Sequence, residues 1–185
     1  LIQNKNLFII ILVRFLFLLT YTMQVLNPIF AEYVLGNETI NSLLAMLISV
    51  PSIVLAVVLP MLCRRFDKAR MLLVFMILYA VTSVAQYFVG YANLGVFLLF
   101  TTARAIGYGG FTALIYMFIP DCIEYGQYTT GQRNAGTSFC LISFVSKLNS
   151  AIISSLTAFV IAAMGFSATN VTAQGRAGVW VTYTL

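Results

Sequence analysis

The chain has 185 residues, 61% of them hydrophobic and only 8% charged, with a mean hydropathy of +0.98. Soluble domains carry about 25% charged residues, so this composition excludes a soluble globular protein and marks an integral membrane one. The net charge of +5 bears on topology rather than on nucleic acid, because no basic cluster is long enough to follow a phosphate backbone. With no histidine, and with Cys63, Cys122 and Cys140 scattered and without CxxC spacing, a zinc site is excluded as well.

The first apolar span is expected over about Leu7 to Phe30. Arg14 lies about two turns inside it. Its depth favours a side chain that snorkels toward the Lys5 end, with a site role as the other reading. Asn27-Pro28 should loosen or kink the far end, since proline removes a backbone donor. A second span, about Ile40 to Leu62, contains Pro51 and Pro60, which membrane helices tolerate. The loop Cys63–Arg70 that follows holds four cations against one acid and reads as cytoplasmic.

A third span is expected over about Met71 to Tyr91 and a fourth over about Leu94 to Ile119, joined by so short a turn that they form an antiparallel hairpin. Arg104 lies ten residues into the fourth span, ~15 Å deep at 1.5 Å per residue. Gly107, Gly109 and Gly110 come next, and close helix packing is the plainest reason for them. A cytoplasmic loop is expected from Pro120 to Arg133, then a fifth span from about Ala135 to Phe166. The segment 167–178 is polar and external, and a sixth span opens at Val179. The chain starts at Leu1 and ends inside that apolar opening, which reads as a piece of a longer protein.

The most informative residue is Lys147, inside the fifth span. Counted from Ser138 it lies ~14 Å deep, near the midplane of a bilayer core about 30 Å thick. A charge at that depth is costly and usually faces a protein interior or a wet cavity. Snorkelling is the competing reading, but the lysine stem reaches only ~6 Å. Steps of three and four place Cys140, Ser143, Lys147, Ser150 and Ser154 on one helix face, a stripe of small polar groups around one ammonium. Leu141, Phe144, Val145, Leu148, Ile152, Leu156 and Phe159 form the opposite, apolar face.

The run Asp121-Cys-Ile-Glu-Tyr-Gly-Gln-Tyr-Thr-Thr-Gly-Gln-Arg133, followed by an apolar helix carrying Ser143 and Lys147, resembles the glycoside–pentoside–hexuronide cation symporters, the melibiose-carrier-like branch of the major facilitator superfamily. Arg104-Ala-Ile-Gly-Tyr-Gly and Tyr33-Val-Leu-Gly add to the likeness, which covers nearly the whole chain. The resemblance implies an all-α membrane protein, the C-terminal six-helix half of such a transporter with its last helix truncated, embedded in a bacterial plasma membrane. It implies secondary active transport of a sugar or glycoside driven by Na⁺ or H⁺, with Lys147 at the central cavity and Ser143 facing the sugar.

Thr112 falls where the melibiose carrier has a sugar-stacking tryptophan, so an aromatic face would have to come from Tyr108 or Tyr116; Arg104 is a further candidate for the substrate site. Asp121, Glu124, Tyr125 and Arg133 match the family's cytoplasmic gate, although the acid that often stands two residues after the arginine is Ala135 here. No metal ligands and no cofactor are expected in this half. The coupling cation is expected at carboxylates of the N-terminal half, because no acid lies within any span of this chain. That other half, the bilayer and a small sugar are then the partners. Two other functions fit less of the sequence: a same-fold carrier of a non-sugar solute such as a lysolipid, and a membrane hydrolase using Ser143 and Lys147 at i, i+4.

Overall fold

The computed structural model describes residues 5–19, 23–36, 39–90, 93–131, 135–163, 177 and 179–181. They form α1 (Lys5–Leu19), α2 (Met23–Ile29), a π-helical turn (Phe30–Val34), α3 (Thr39–Leu62), α4 (Lys68–Val89), α5 (Leu94–Thr130) and α6 (Ala135–Ala163). Residues 179–181 are helical too and stand at the opening of the expected sixth span. Among the described residues α3, α4, α5 and α6 are each long and apolar enough to cross a membrane. The protein is an integral, multi-pass membrane protein.

Helix ends follow the local chemistry. Asp67 caps α4, its carboxylate accepting from the Ala69 N–H at 3.2 Å. Asn93 caps α5, accepting from Gly95 N and Val96 N, and so satisfies donors that a helix start leaves open. Gly131 closes α5 in the left-handed region, at φ 71°, where a Cβ would be strained.

The far end of the first span departs from a regular α-helix. Pro28 sits in α2, and the chain then widens into a π turn in which Leu35 N–H reaches the Phe30 carbonyl at 3.1 Å. The expected loosening at Asn27-Pro28 thus takes the form of a local wide turn. The fourth span also departs from expectation. The helix runs through Pro120 to Thr130, so the segment expected to be a cytoplasmic loop is largely helical. At 37 residues α5 is ~55 Å long, well beyond a bilayer core of about 30 Å. Pro120 lies on the exposed side, while Cys122, Ile123 and Gly126 are buried, so one face still packs.

α5 is the central element: half of its most apolar stretch is buried, against about a sixth for α3, α4 and α6. Helices α3 and α4 pack on it through the glycines. A Cβ on Gly107 would stand 2.9 Å from the Tyr79 nitrogen, and one on Gly109 2.8 Å from the Ser52 hydroxyl and 3.0 Å from Ser52 Cα. Only a missing side chain allows those backbones so close, which is the close packing the sequence implied. Gln86 on α4 donates to Thr101 on α5 at 3.0 Å, a buried polar tie between the same helices. α1 packs against both α5 and α6. Near the ends of α2 and α5, Trp180 lies 5.7 Å from Phe30 and 6.2 Å from Phe97, ring centre to ring centre.

Candidate functional site

α6 has three faces rather than two. Its buried residues are Ser138, Ile142, Asn149, Ile153, Thr157 and Ile161. The stripe residues Cys140, Ser143, Lys147, Ser150 and Ser154 are all exposed in this chain. Phe144, Leu148, Ile152, Leu156 and Phe159, expected to lie opposite the stripe, are exposed as well. At 100° per residue, the packed seam and the apolar face lie roughly a third of a turn to either side of the stripe. The packed seam is mixed in polarity because it meets helix rather than lipid.

That seam docks on α1. Asn149 donates its side-chain amide to the Phe15 carbonyl at 2.9 Å. Ser146, which donates to the Ile142 carbonyl, accepts from Arg14 Nη2 at 3.2 Å. These two bonds fix the register of the helices and set Arg14 level with the turn that carries Lys147. Arg14 is only 7% exposed, so the snorkelling expectation is corrected: its guanidinium turns inward. The reason is the set of partners it finds inside. Its Nη2 also donates to the Tyr116 hydroxyl at 2.9 Å, and its guanidinium carbon stands 4.5 Å from that ring's centre.

On α5 the residues Arg104, Tyr108, Thr112 and Tyr116 are spaced by four and share a face. The row sinks from the surface inward. Tyr116 is 50% exposed, Thr112 and Tyr108 are half-buried, and Arg104 is fully enclosed. Arg104 donates to the Tyr79 hydroxyl at 3.1 Å and lies over that ring at 5.1 Å. Phe17 comes between the two arginines' surroundings, with ring centres 3.7 Å from Phe111, 5.0 Å from Tyr79 and 6.2 Å from Tyr108. This aromatic layer puts Arg104 among α4 and α5 rather than at the open face, so of the expected substrate residues it is the one not brought to the others. Tyr108 stacks on Phe17 and offers one edge at most; Tyr116 presents the freer ring.

At the other end of α5, Asp121 accepts from Lys68 Nζ at 2.6 Å, an ion pair within this chain rather than with another half. Lys68, at the start of α4, was visible in the sequence only as one of several loop cations. Glu124 and Tyr125 are exposed beside it. Arg133 lies outside the described residues. No group of three or more metal-ligating side chains occurs among the described residues.

Among the described residues the chain is an all-helical membrane unit with Lys147 and several hydroxyls exposed along α6 and a charged extension on α5. The chain matches the MFS/sugar transport protein family over residues 1–184 and belongs to it. Its relatives include a putative sulfoquinovose importer of Escherichia coli, 27% identical over 74% of this chain and 29% of the importer. A glucuronide carrier protein homolog from the same organism is 26% identical over 91% of the chain and 37% of the carrier. An uncharacterized symporter of Bacillus subtilis is 24% identical over 96% and 39%. The chain therefore spans about a third of the length of these relatives. No solved structure gives a significant match. These findings bear out the resemblance to glycoside and hexuronide symporters, and they set the hydrolase reading of Ser143 and Lys147 aside, since the family is one of transporters.

Proposed function

We propose that this chain is one half of a carrier that moves a sugar or glycoside by symport with Na⁺ or H⁺, through alternating access. The observation that carries the reading is the exposure of Lys147 and Ser143 on α6 and of Tyr116 on α5, with Arg14 bonded to both helices through Tyr116 and Ser146. No acid lies in the apolar part of any span, so an ammonium at mid-depth needs its counter-charge from the remainder of the protein. Carboxylates there would hold the coupling cation. Cation and Lys147 would compete for them, which links ion occupancy to the state of the cavity. Rocking of two helical halves about a midplane site then opens it to one side at a time. The names of the relatives, a sulfoquinovose importer and a glucuronide carrier homolog, support a sugar as cargo.

The α1–α4 groove of about 680 Å³ is apolar and includes none of Lys147, Ser143 or Tyr116, so it does not favour a lipid route through the same site. The test is uptake by the full-length carrier in vesicles under an imposed Na⁺ or H⁺ gradient. Lys147→Ala should abolish sugar accumulation while leaving the protein in the membrane. Accumulation at the wild-type level would refute the role of Lys147.

A further inference from the structure

We propose that Arg14 is a specificity-determining residue that binds an oxyanion substituent, a carboxylate or sulfonate, on the transported sugar. This rests on the reading of the chain as half of a sugar carrier.

Arg14 is more than nine-tenths buried, and both of its described hydrogen bonds leave from one nitrogen, Nη2. Its Nε is buried without an acceptor among the described residues. A guanidinium carries five donors in a planar fork, so most of this one's capacity is unmet. Its two partners, Tyr116 and Ser146, are neutral hydroxyls. The described residues hold one ion pair, Lys68 with Asp121, and it lies at the far end of α5. A buried cation without a counter-charge is costly unless an anion arrives from elsewhere.

The surroundings indicate what kind of anion. Arg14 bonds Ser146, the neighbour of Lys147 in the chain, and Lys147, Ser143 and Tyr116 are all exposed. With its oxygen accepting from Arg14, the Tyr116 hydroxyl has its own proton left to give. This wall is rich in donors and poor in acceptors. A neutral sugar hydroxyl both donates and accepts, so it makes incomplete use of such a wall. A carboxylate or sulfonate only accepts, and one of its oxygens can take a guanidinium hydrogen that Tyr116 and Ser146 leave unmet, with the Tyr116 proton as a second donor. Tyr116 and Ser146 take both hydrogens of Nη2, which leaves Nη1 and Nε for that purpose.

The experiment compares binding and uptake of methyl glucuronide with those of methyl glucoside in the full-length carrier. The two differ by a carboxylate against a hydroxymethyl group. Wild type should prefer the glucuronide. Arg14→Gln should raise the glucuronide KM about 10- to 100-fold, as expected for loss of a charged hydrogen bond, and the glucoside KM by far less, so that the preference for the glucuronide is lost. Arg14→Lys keeps the charge and should keep the preference at reduced affinity. Equal loss of both ligands in Arg14→Lys, or a preference that Arg14→Gln does not alter, overturns the proposal and assigns Arg14 to structure or to a carboxylate of the other half. Wild type that takes the glucoside as readily as the glucuronide overturns the proposal and leaves the sugar-carrier reading standing. Wild type that takes up no sugar of any kind removes that reading itself.

Discussion

The glycine contacts on α5 give the sharpest stability test. In Gly107→Ala the new Cβ would meet Tyr79 N at 2.9 Å and Tyr79 Cα and Cβ at 3.0 Å. Ordinary carbon contacts lie near 3.5–4.0 Å, so α4 and α5 must separate by several tenths of an ångström. The obstacle is largely backbone and cannot swing aside. Overpacking of this kind costs about 1–3 kcal/mol. Alanine also gains about 0.8–1.0 kcal/mol over glycine inside a helix. A control removes that second effect. Gly136, in the first turn of α6, has nothing within 4 Å of its built Cβ. The helical gain is common to both variants apart from fraying at the end of α6, so Gly136→Ala should exceed Gly107→Ala in stability by about 1–3 kcal/mol. Thermal midpoints of the full-length carrier in detergent measure the difference, with no change in secondary structure expected. Equal midpoints would mean that α4 and α5 do not approach as closely as described, and the packing argument would fail with them.

Tyr79→Phe keeps the ring that lies under Arg104 and stacks near Phe17 but removes the hydroxyl that accepts from Arg104. It should cost about 0.6–1.7 kcal/mol, the range for hydrogen bonds between membrane helices, with the sugar KM unaltered because the aromatic layer sets Arg104 apart; a changed KM would return Arg104 to the substrate site. The Lys68–Asp121 pair is partly exposed, at 32% and 48% for the two side chains. A double-mutant cycle with Lys68→Ala and Asp121→Ala should give a coupling of about 0–1 kcal/mol that shrinks as salt rises. A coupling well above that, insensitive to salt, would mean the pair is closed off from water.

Much of the fold was legible because hydropathy reports directly on length in a bilayer. The apolar runs placed α3, α4 and the start of α6 to within a few residues, while the cation-rich loop expected over Cys63–Arg70 is shorter, since α4 already begins at Lys68. α5 was cut short in the reading because Pro120 and the polar run after it look like a loop. In fact the proline lies on the exposed side, and burial of Cys122, Ile123 and Gly126 carries the helix onward. Arg14 was misplaced for a different reason. Depth in a span limits how far a side chain can reach, but it does not say whether a better set of hydroxyls lies inside, and Tyr116 and Ser146 are more than a hundred residues away in sequence.

The same limit explains what was seen and missed on α6. In water the buried face of a helix is its most apolar face, so a polarity pattern finds the core. In a membrane the lipid takes that role, and the seam between helices is free to be mixed. Polarity alone therefore picks out the stripe of small polar groups around Lys147 and assigns everything apolar to the other side. The seam that does the positioning, Ser146 and Asn149 among isoleucines, has too few polar groups to stand out as a stripe and too many to read as a core. Yet this seam is what joins the two helices: Asn149 to Phe15 and Arg14 to Ser146 hold α1 to α6 in one register, through contacts that a search for polar stripes passes over.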